Sequence, residues 1–356
     1  MRFHQLLPTL AEGDAIGNFV RLLRREFDRR GWGGEDFAER STGNWGGRIR
    51  RAQELSNASG ADDYLLYHFS TSSAACSRAF AQASAKKTLV FHNFTPPRYY
   101  VNDYPDQAHR LLEAEKELAG LRGTPGLVAA WGVSEFDRLE LVARGFESTD
   151  VLPYCVDLDL YEQPPSASVR SMHRADMLTL LVVGRIAPNK RADLATAAAA
   201  SLSRRRGGKV RIIVVGDNQL CPAEVEKARR AGAALGEQNL VVTGKVSFDE
   251  LLGYYRIADV LLFLSEHEGF GVPLVEAMTL GVPIVARHAT AIPETLGNCG
   301  WMTESDDPET IADLVETVLA KEDEREAKLA KGRERAKEFG PRSLAAALDR
   351  LLGSGI

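Results

Sequence analysis

Ser265-Glu266-His267-Glu268-Gly269-Phe270-Gly271-Val272-Pro273-Leu274-Val275-Glu276-Ala277-Met278 is the stretch around which the chain is organised. Ahead of it, Val260 to Leu264 is a short apolar run that reads as a buried parallel strand, and behind it a helical segment ends near Gly281. The stretch is therefore a strand-loop-helix turn. Pro273 suits the first helical position, where a missing N–H costs nothing, so the N–H groups of Leu274 and Val275 are expected to face the loop as an anion seat. Gly269, Phe270 and Gly271 form a loop in which backbone can approach a ligand closely. Glu268 and Glu276, seven residues apart, bracket that seat. Singly, each glutamate reads as an ordinary surface residue favoured by a helix dipole; the combination suits a ligand that carries hydroxyl groups as well as phosphate.

Working outward, the apolar strand Leu178 to Val183 leads into Gly184-Arg185-Ile186-Ala187-Pro188-Asn189-Lys190-Arg191. Arginine offers a planar fork and lysine a point charge, a pairing suited to a diphosphate. Further strands are expected at Val210 to Val215, Asn239 to Val242, Ile284 to Ala286 and Cys299 to Met302, and helices at Asp307 to Ala320, Glu322 to Phe339 and Arg342 to Leu352. Ser247 with Glu250 three residues on reads as a capping box.

The two glutamates, the glycines and the proline resemble the E-x7-E signature of retaining glycosyltransferases of the GT-B fold, family 4, and Gly184 to Lys190 resembles that family's G-R-x-x-x-x-K-G motif, with Arg191 in place of its last glycine. The resemblance implies an α/β protein of two Rossmann-like domains facing a central cleft. It implies that Arg185 and Lys190 hold the donor diphosphate, that Glu276 holds ribose hydroxyls and that Glu268 holds hydroxyls of the transferred sugar beside the Gly269 to Gly271 backbone. The segment Gly244-Lys245-Val246-Ser247 falls where the family holds the nucleobase, which puts Lys245 and Val246 beside it.

The first half of the chain carries thinner signals. Arg2 to Leu7 reads as a strand, followed by Glu12-Gly13-Asp14-Ala15-Ile16-Gly17-Asn18 and a helical pattern from Phe19 to Phe27. Gly17 and Asn18 match the family's first loop, while Asp14 and Ala15 depart from it. Tyr64 to His68 and Thr88 to Phe91 read as strands joined by a crossover helix within Thr71 to Ala85, and the second ends at His92. Ligands of open α/β sheets lie beyond the carboxyl ends of strands. His92 there resembles the family histidine that touches the transferred sugar. Thr95 to Tyr100 is too proline-rich for ordinary helix and reads as a stiff aromatic loop, either a packed connector or a platform for an acceptor sugar. A helix is expected at Gln107 to Leu121 and a strand at Leu127 to Trp131, with Ser134 as a helix cap.

At 356 residues the chain is long enough for two α/β domains. The expected division is 1–162 for the first domain, 163–176 as a linker rich in Pro, Ser and Ala, 177–340 for the nucleotide-sugar domain, and 341–356 as a helix packing back on the first. A formal charge of −5 gives no case for nucleic acid. Locally, Arg21, Arg24, Arg25, Arg29 and Arg30 make the first helix basic, which reads as a solvated face or as a peripheral contact with anionic membrane. Cys76, Cys155, Cys221 and Cys299 lack metal or disulfide spacing, and no run has the length of a signal peptide core or a spanning helix, so a cytoplasmic protein is expected.

The resemblance implies a retaining hexosyltransferase that takes mannose or glucose from a GDP or UDP donor and passes it to a glycan or lipid-linked acceptor in cell-surface polysaccharide or glycoconjugate synthesis. No metal or other cofactor is expected, because the basic groups neutralise the diphosphate. Two rivals stand beside this reading. A two-Rossmann-domain oxidoreductase needs G-x-G-x-x-G after a strand, which is lacking here, and a non-catalytic nucleotide-sugar binder retains the same donor residues.

Overall fold

The computed structural model describes residues 2–11, 13–43 and 49–353. Glu12 of the first loop and the last three residues of the 341–356 segment lie outside the described residues. The chain forms two compact units, Met1–Asp157 with Phe339–Ile356, and Leu158–Glu338.

In the first unit the elements run β1 (Phe3–Ala11), α1 (Ala15–Arg29), β2 (Asp36–Thr42), β3 (Ile49–Arg51), α2 (Leu55–Ala58), β4 (Tyr64–Phe69), α3 (Ala74–Gln82), β5 (Lys86–Phe91), α4 (Pro105–Leu121), β6 (Leu127–Gly132), α5 (Glu135–Ala143) and β7 (Thr149–Val151). Among the described residues the strands form one parallel sheet in the order β3-β2-β1-β4-β5-β6-β7. The chain enters at β1, winds outward to one edge and returns at β4, so the topology reverses between β1 and β4. Strands β1, β4 and β5 are buried along nearly their whole length, as central strands of a sheet covered on both faces must be. Strand β2, next to the edge strand β3, turns polar and exposed after Ala38, which is why no apolar pattern announced it. Asp14 caps α1, its carboxylate accepting from the Gly17 N–H at 3.3 Å, so the helix starts ahead of Gly17 and Asn18.

In the second unit follow α6 (Ala167–Arg170), β8 (Leu178–Val183), α7 (Ala192–Arg205), β9 (Val210–Val215), α8 (Pro222–Ala231), β10 (Leu240–Gly244), α9 (Phe248–Ile257), β11 (Val260–Phe263), α10 (Val272–Leu280), β12 (Ile284–Arg287), α11 (Ile292–Leu296), β13 (Trp301–Thr303), α12 (Pro308–Ala320) and α13 (Glu322–Lys337). The described strands again form one parallel sheet, in the order β10-β9-β8-β11-β12-β13, with its reversal between β8 and β11. Its core joins the apolar faces of β8, β9 and β11 to α7 and α12. The capping box of Ser247 and Glu250 is formed at the start of α9.

Residues 163–176 are not a free connector. Ser166 N–H bonds to Asp249 O at 2.9 Å, and Val169, buried, packs so closely on Gly253 that a Cβ there would fall 2.7 Å from it. The units divide at Asp157/Leu158, and the segment is built into the second. The last helix, α14 (Pro341–Leu352), belongs to the first unit, where Arg30 donates to Asp349 at 2.5 Å and Arg350 to Asp150 at 2.6 Å. No described helix is long and apolar enough to cross a membrane.

Candidate active site

The reversal between β8 and β11 brings together the two loops on which the sequence reading rested. Open parallel sheets bind ligands beyond the carboxyl ends of their strands at such a reversal, and here those ends carry Gly184 to Arg191 after β8 and Ser265 to Gly271 after β11. Asn189 sews the loops together: its side-chain amide donates to His267 O at 3.0 Å, and its own carbonyl accepts from the Glu266 N–H at 2.8 Å. Across this seam Lys190 Nζ lies 2.5 Å from Glu268 Oε1. Thr290, itself in left-handed backbone at φ 49°, accepts from the Glu268 N–H at 2.9 Å and fixes the loop from the far side. Arg185 is exposed and lines a small pocket with Lys190 and Ser265.

The neighbouring strand ends complete the rim. Gly184 N–H bonds to Val215 O at 3.0 Å, Ile186 N–H to Asp217 O at 2.8 Å and Gly216 N–H to Gly244 O at 3.1 Å, so the β8, β9 and β10 loops are laced in series. Gly216 cannot be another residue, because a Cβ there would sit 1.9 Å from Gly184 O. Lys245, exposed, and Val246, half-buried, follow on the β10 side. The site residues of the second unit thus follow three strand ends, those of β8, β10 and β11, with the β9 loop lacing β8 to β10.

Three details differ from expectation. Pro273 occupies the second position of α10, since the helix starts at Val272 after Gly271 in left-handed backbone. The Leu274 N–H is already spent on Gly271 O at 3.0 Å, a tight first turn, so the anion seat loses one of its two expected donors. Arg191, standing where the family has glycine, adopts φ 52°, which explains the family's preference for glycine. Its guanidinium is held by Glu266, Asp193 and Asp306.

Glu276 is buried, and both its oxygens are taken: Tyr161 donates to one at 3.0 Å and Tyr255 to the other at 2.7 Å. Burial raises its pKa, against the pull of the two hydroxyls. Sequence reasoning missed both tyrosines, whose contacts span 115 and 21 residues of chain.

In the first unit, His92 follows β5, and Asn93 turns the chain away from it at φ 61°, anchored to Asp137 at 2.6 Å. Gly17 and Asn18 lie just before Phe19, whose ring stands edge-on to His92 with centroids 5.6 Å apart. The Thr95 to Tyr100 loop contains one 3-10 turn, Pro97–Tyr99, with Pro97 and Tyr100 buried, so its aromatic surface reduces to Tyr99 under the Arg98 guanidinium. The basic face of α1 is largely neutralised: Arg24 pairs with Asp36, Arg25 with Asp157, and Arg29 and Arg30 with Glu26. Much less free positive charge faces outward than composition implied. All four cysteines are buried and unbridged, and burial pushes the thiols up, Cys76 to about 11 and Cys155 to about 12, so they are inert.

Residues 169–336 match the family described as glycosyl transferases group 1. This stretch, nearly the whole of the second unit, is similar to that family. Curated relatives include the GDP-mannose-dependent alpha-(1-6)-phosphatidylinositol monomannoside mannosyltransferase of Mycobacterium tuberculosis, 30% identical over 52% of this chain and 51% of the relative. Another is the D-inositol 3-phosphate glycosyltransferase of Frankia alni, 30% identical over 67% of this chain and 60% of the relative. The chain thus spans about half to three fifths of the length of these curated relatives. Among solved structures, Anabaena Alr3699/HepE in complex with UDP-glucose superimposes with a TM-score of 0.76 at 16% identity, covering 99% of this chain and all of that one. Sucrose-phosphate synthase from Thermosynechococcus elongatus does so with 0.73 at 18%, covering 99% and 98%. At such identities the likeness is one of fold, and the fold is GT-B. The oxidoreductase reading finds no support in any of these relatives.

Proposed function

We propose that this chain is a retaining hexosyltransferase. It moves a mannose- or glucose-type sugar from a GDP- or UDP-linked donor to a hydroxyl of a glycan or lipid-linked acceptor, in cell-surface polysaccharide or glycoconjugate synthesis on the cytoplasmic side of the membrane. The observation that supports it most is the Lys190–Glu268 pair beside exposed Arg185 at the β8/β11 reversal, which sets cationic groups for a diphosphate against a carboxylate for sugar hydroxyls. The relatives point the same way, one named for GDP-mannose and one solved with UDP-glucose.

In this reading Lys190 leaves Glu268 for the diphosphate and, with Arg185, offsets the negative charge that grows on the leaving group. Fixed charge aimed at developing charge is the largest source of acceleration in many enzymes. Glu268, once released, accepts from hydroxyls of the transferred sugar, and Glu276 accepts from the ribose with lone pairs its tyrosines leave over. His92 is assigned to a sugar hydroxyl. The two cations carry the neutralising role, and we assign none to a metal or to a covalent carboxylate nucleophile.

Titration calorimetry with UDP, GDP and ADP tests this reading. Binding of one of them identifies the base of the donor, and transfer assays with the corresponding mannose and glucose donors then fix the sugar. A protein that binds none of the three does not have this function.

A further inference from the structure

Glu268 is held from three sides. Its carboxylate meets Lys190 Nζ at 2.5 Å, its N–H donates to Thr290 Oγ1 at 2.9 Å, and its carbonyl accepts, at a longer 3.4 Å, from the Ala291 N–H. The residues beside it are fixed as well. Asn189 holds Glu266 and His267 from the β8 side, and Thr295 Oγ1, on α11, donates to Phe270 O at 2.7 Å. The loop after β11 is thus pinned on two flanks. Donor binding disturbs only one contact of Glu268: in the reading given above Lys190 turns to the diphosphate, whereas the bonds to Thr290 and Ala291 use backbone groups assigned no part in holding the donor. What still sets Glu268 after Lys190 lets go is the loop between β12 and α11.

In that loop Thr290 is a poor choice for its own backbone. The Ile292 N–H bonds to Ala289 O at 3.0 Å and closes a turn in which Thr290 is the first central residue, at φ 49°. Glycine, asparagine or aspartate usually takes such a place, and a β-branched side chain there is an outlier. The surroundings enforce it. On one side the His288 N–H bonds to Thr303 O at 2.8 Å, and on the other Ala291, fully buried, opens α11. Glycine would suit the turn and would leave the Glu268 N–H without its acceptor. Among the described residues the Thr290 hydroxyl has no partner besides that N–H. Strain kept in place beside a candidate catalytic carboxylate points to a use for the side chain that bears it.

We propose that Thr290 is a positioning residue: its hydroxyl sets the Glu268 backbone, and through it the aim of the carboxylate, so that Glu268 stays in place when Lys190 moves to the diphosphate. The inference rests on the reading of Glu268 as the group for hydroxyls of the transferred sugar. Misplacing a reacting geometry by about 1 Å costs on the order of 10²-fold in rate, so one hydrogen bond that fixes a loop is enough to matter.

Three variants separate the hydroxyl from the turn. Thr290→Val keeps the shape and loses the acceptor, Thr290→Gly suits the turn and loses the acceptor, and Thr290→Ser keeps the acceptor. The valine and glycine variants are expected to lose roughly 10- to 100-fold in kcat with the nucleotide sugar, with its KM within about threefold and affinity for the bare nucleoside diphosphate within about twofold. The serine variant is expected to stay within about threefold of the wild type in kcat. A residue that only builds the turn would give way to glycine without loss. A glycine variant as active as the wild type, a folded serine variant no better than valine, or a loss confined to KM overturns the proposal.

Hydrogen exchange at the Glu268 amide checks the clamp without substrate. It is expected to be about tenfold faster or more in the folded valine and glycine variants than in the wild type and the serine variant. Equal protection in all four overturns the proposal. If the wild type neither binds a nucleoside diphosphate nor transfers sugar, the transferase reading fails by that result, and the exchange rates still decide whether Thr290 holds the loop.

Discussion

Lys190 Nζ lies 2.5 Å from Glu268 Oε1, which joins the two motifs that carry the family resemblance by an ion pair across 78 residues of sequence. The pair is largely shielded from water, with side-chain exposures of 22% and 11%. Each partner is thus held in place by the other, and removing one strands the other's charge in a poorly hydrated loop. Lys190→Ala is expected to lower transfer by roughly 10²- to 10³-fold, the scale of losing one donor to developing charge. Glu268→Ala should do the same, with circular dichroism unchanged for both. Transfer within tenfold of wild type in either variant would remove the pair from the reaction.

A second expectation concerns Glu276. Because its folded pKa is raised above the ordinary 4.5, the protonated form is favoured in the native state, and stability is lost as pH rises through the folded value. Above the folded value the ionised carboxylate therefore weakens the fold. Glu276→Gln is expected to melt higher than the wild type at pH 7, with the gain shrinking toward pH 4.5, while nucleotide affinity falls about tenfold or more. A variant that binds nucleotide as well as the wild type would leave Glu276 with no ligand.

Arg191 offers a test of backbone strain. At φ 52° an L-residue costs about 1 kcal/mol relative to glycine, here offset by the ion pairs to Glu266, Asp193 and Asp306. Arg191→Ala removes the pairs and keeps the strain; Arg191→Gly removes both. Urea denaturation is expected to find the glycine variant more stable than the alanine variant by about 1 kcal/mol, since Arg191 precedes α7 as its N-cap, where glycine is also preferred to alanine. The opposite order would mean that the backbone relaxes out of the left-handed region once the side chain is gone.

How much of this was legible follows from where the information resides. The strands of the second unit were read nearly to the residue because Leu178–Val183 and Val210–Val215 are continuous apolar runs, the pattern of strands covered on both faces. Strand β2, Asp-Phe-Ala-Glu-Arg-Ser-Thr, was not, because it lies toward an edge and half of it is wet. Arg185, Lys190, Glu268 and Glu276 were legible as motif positions, but Tyr161, Tyr255 and Asn189 act through contacts between distant segments and leave no local pattern. Gln5 and His68 did leave a trace. Each is a polar residue inside an apolar strand, Phe3-His4-Gln5-Leu6-Leu7 and Tyr64-Leu65-Leu66-Tyr67-His68-Phe69, and a buried polar residue needs a partner. Sequence says that such a partner exists; only the β1–β4–β5 register says that the partners form one chain ending at His92, with Gln5 3.1 Å from His68 and His68 2.9 Å from His92.

That chain makes the stability of the first unit depend on pH in a predictable direction. His68 and His92 are lowered from 6.5 by burial, the latter to about 3, so both stay neutral in the native state while the unfolded chain takes up protons below its own pKa near 6.5. A depressed histidine contributes stability that is complete above 6.5 and is lost as pH falls toward the folded value. Each such group steepens the loss by about 1.4 kcal/mol per pH unit once the unfolded form is protonated. His4, lowered by burial as well, adds to the wild-type slope, and the carboxylates add theirs at lower pH. The difference between the wild type and His68→Gln isolates one proton. Between pH 6 and 5 the stability of the wild type is therefore expected to fall more steeply than that of the variant, by roughly 1 kcal/mol over the unit. Equal slopes would mean that His68 is protonated in the native protein, and the relay to His92 would then run through a cation.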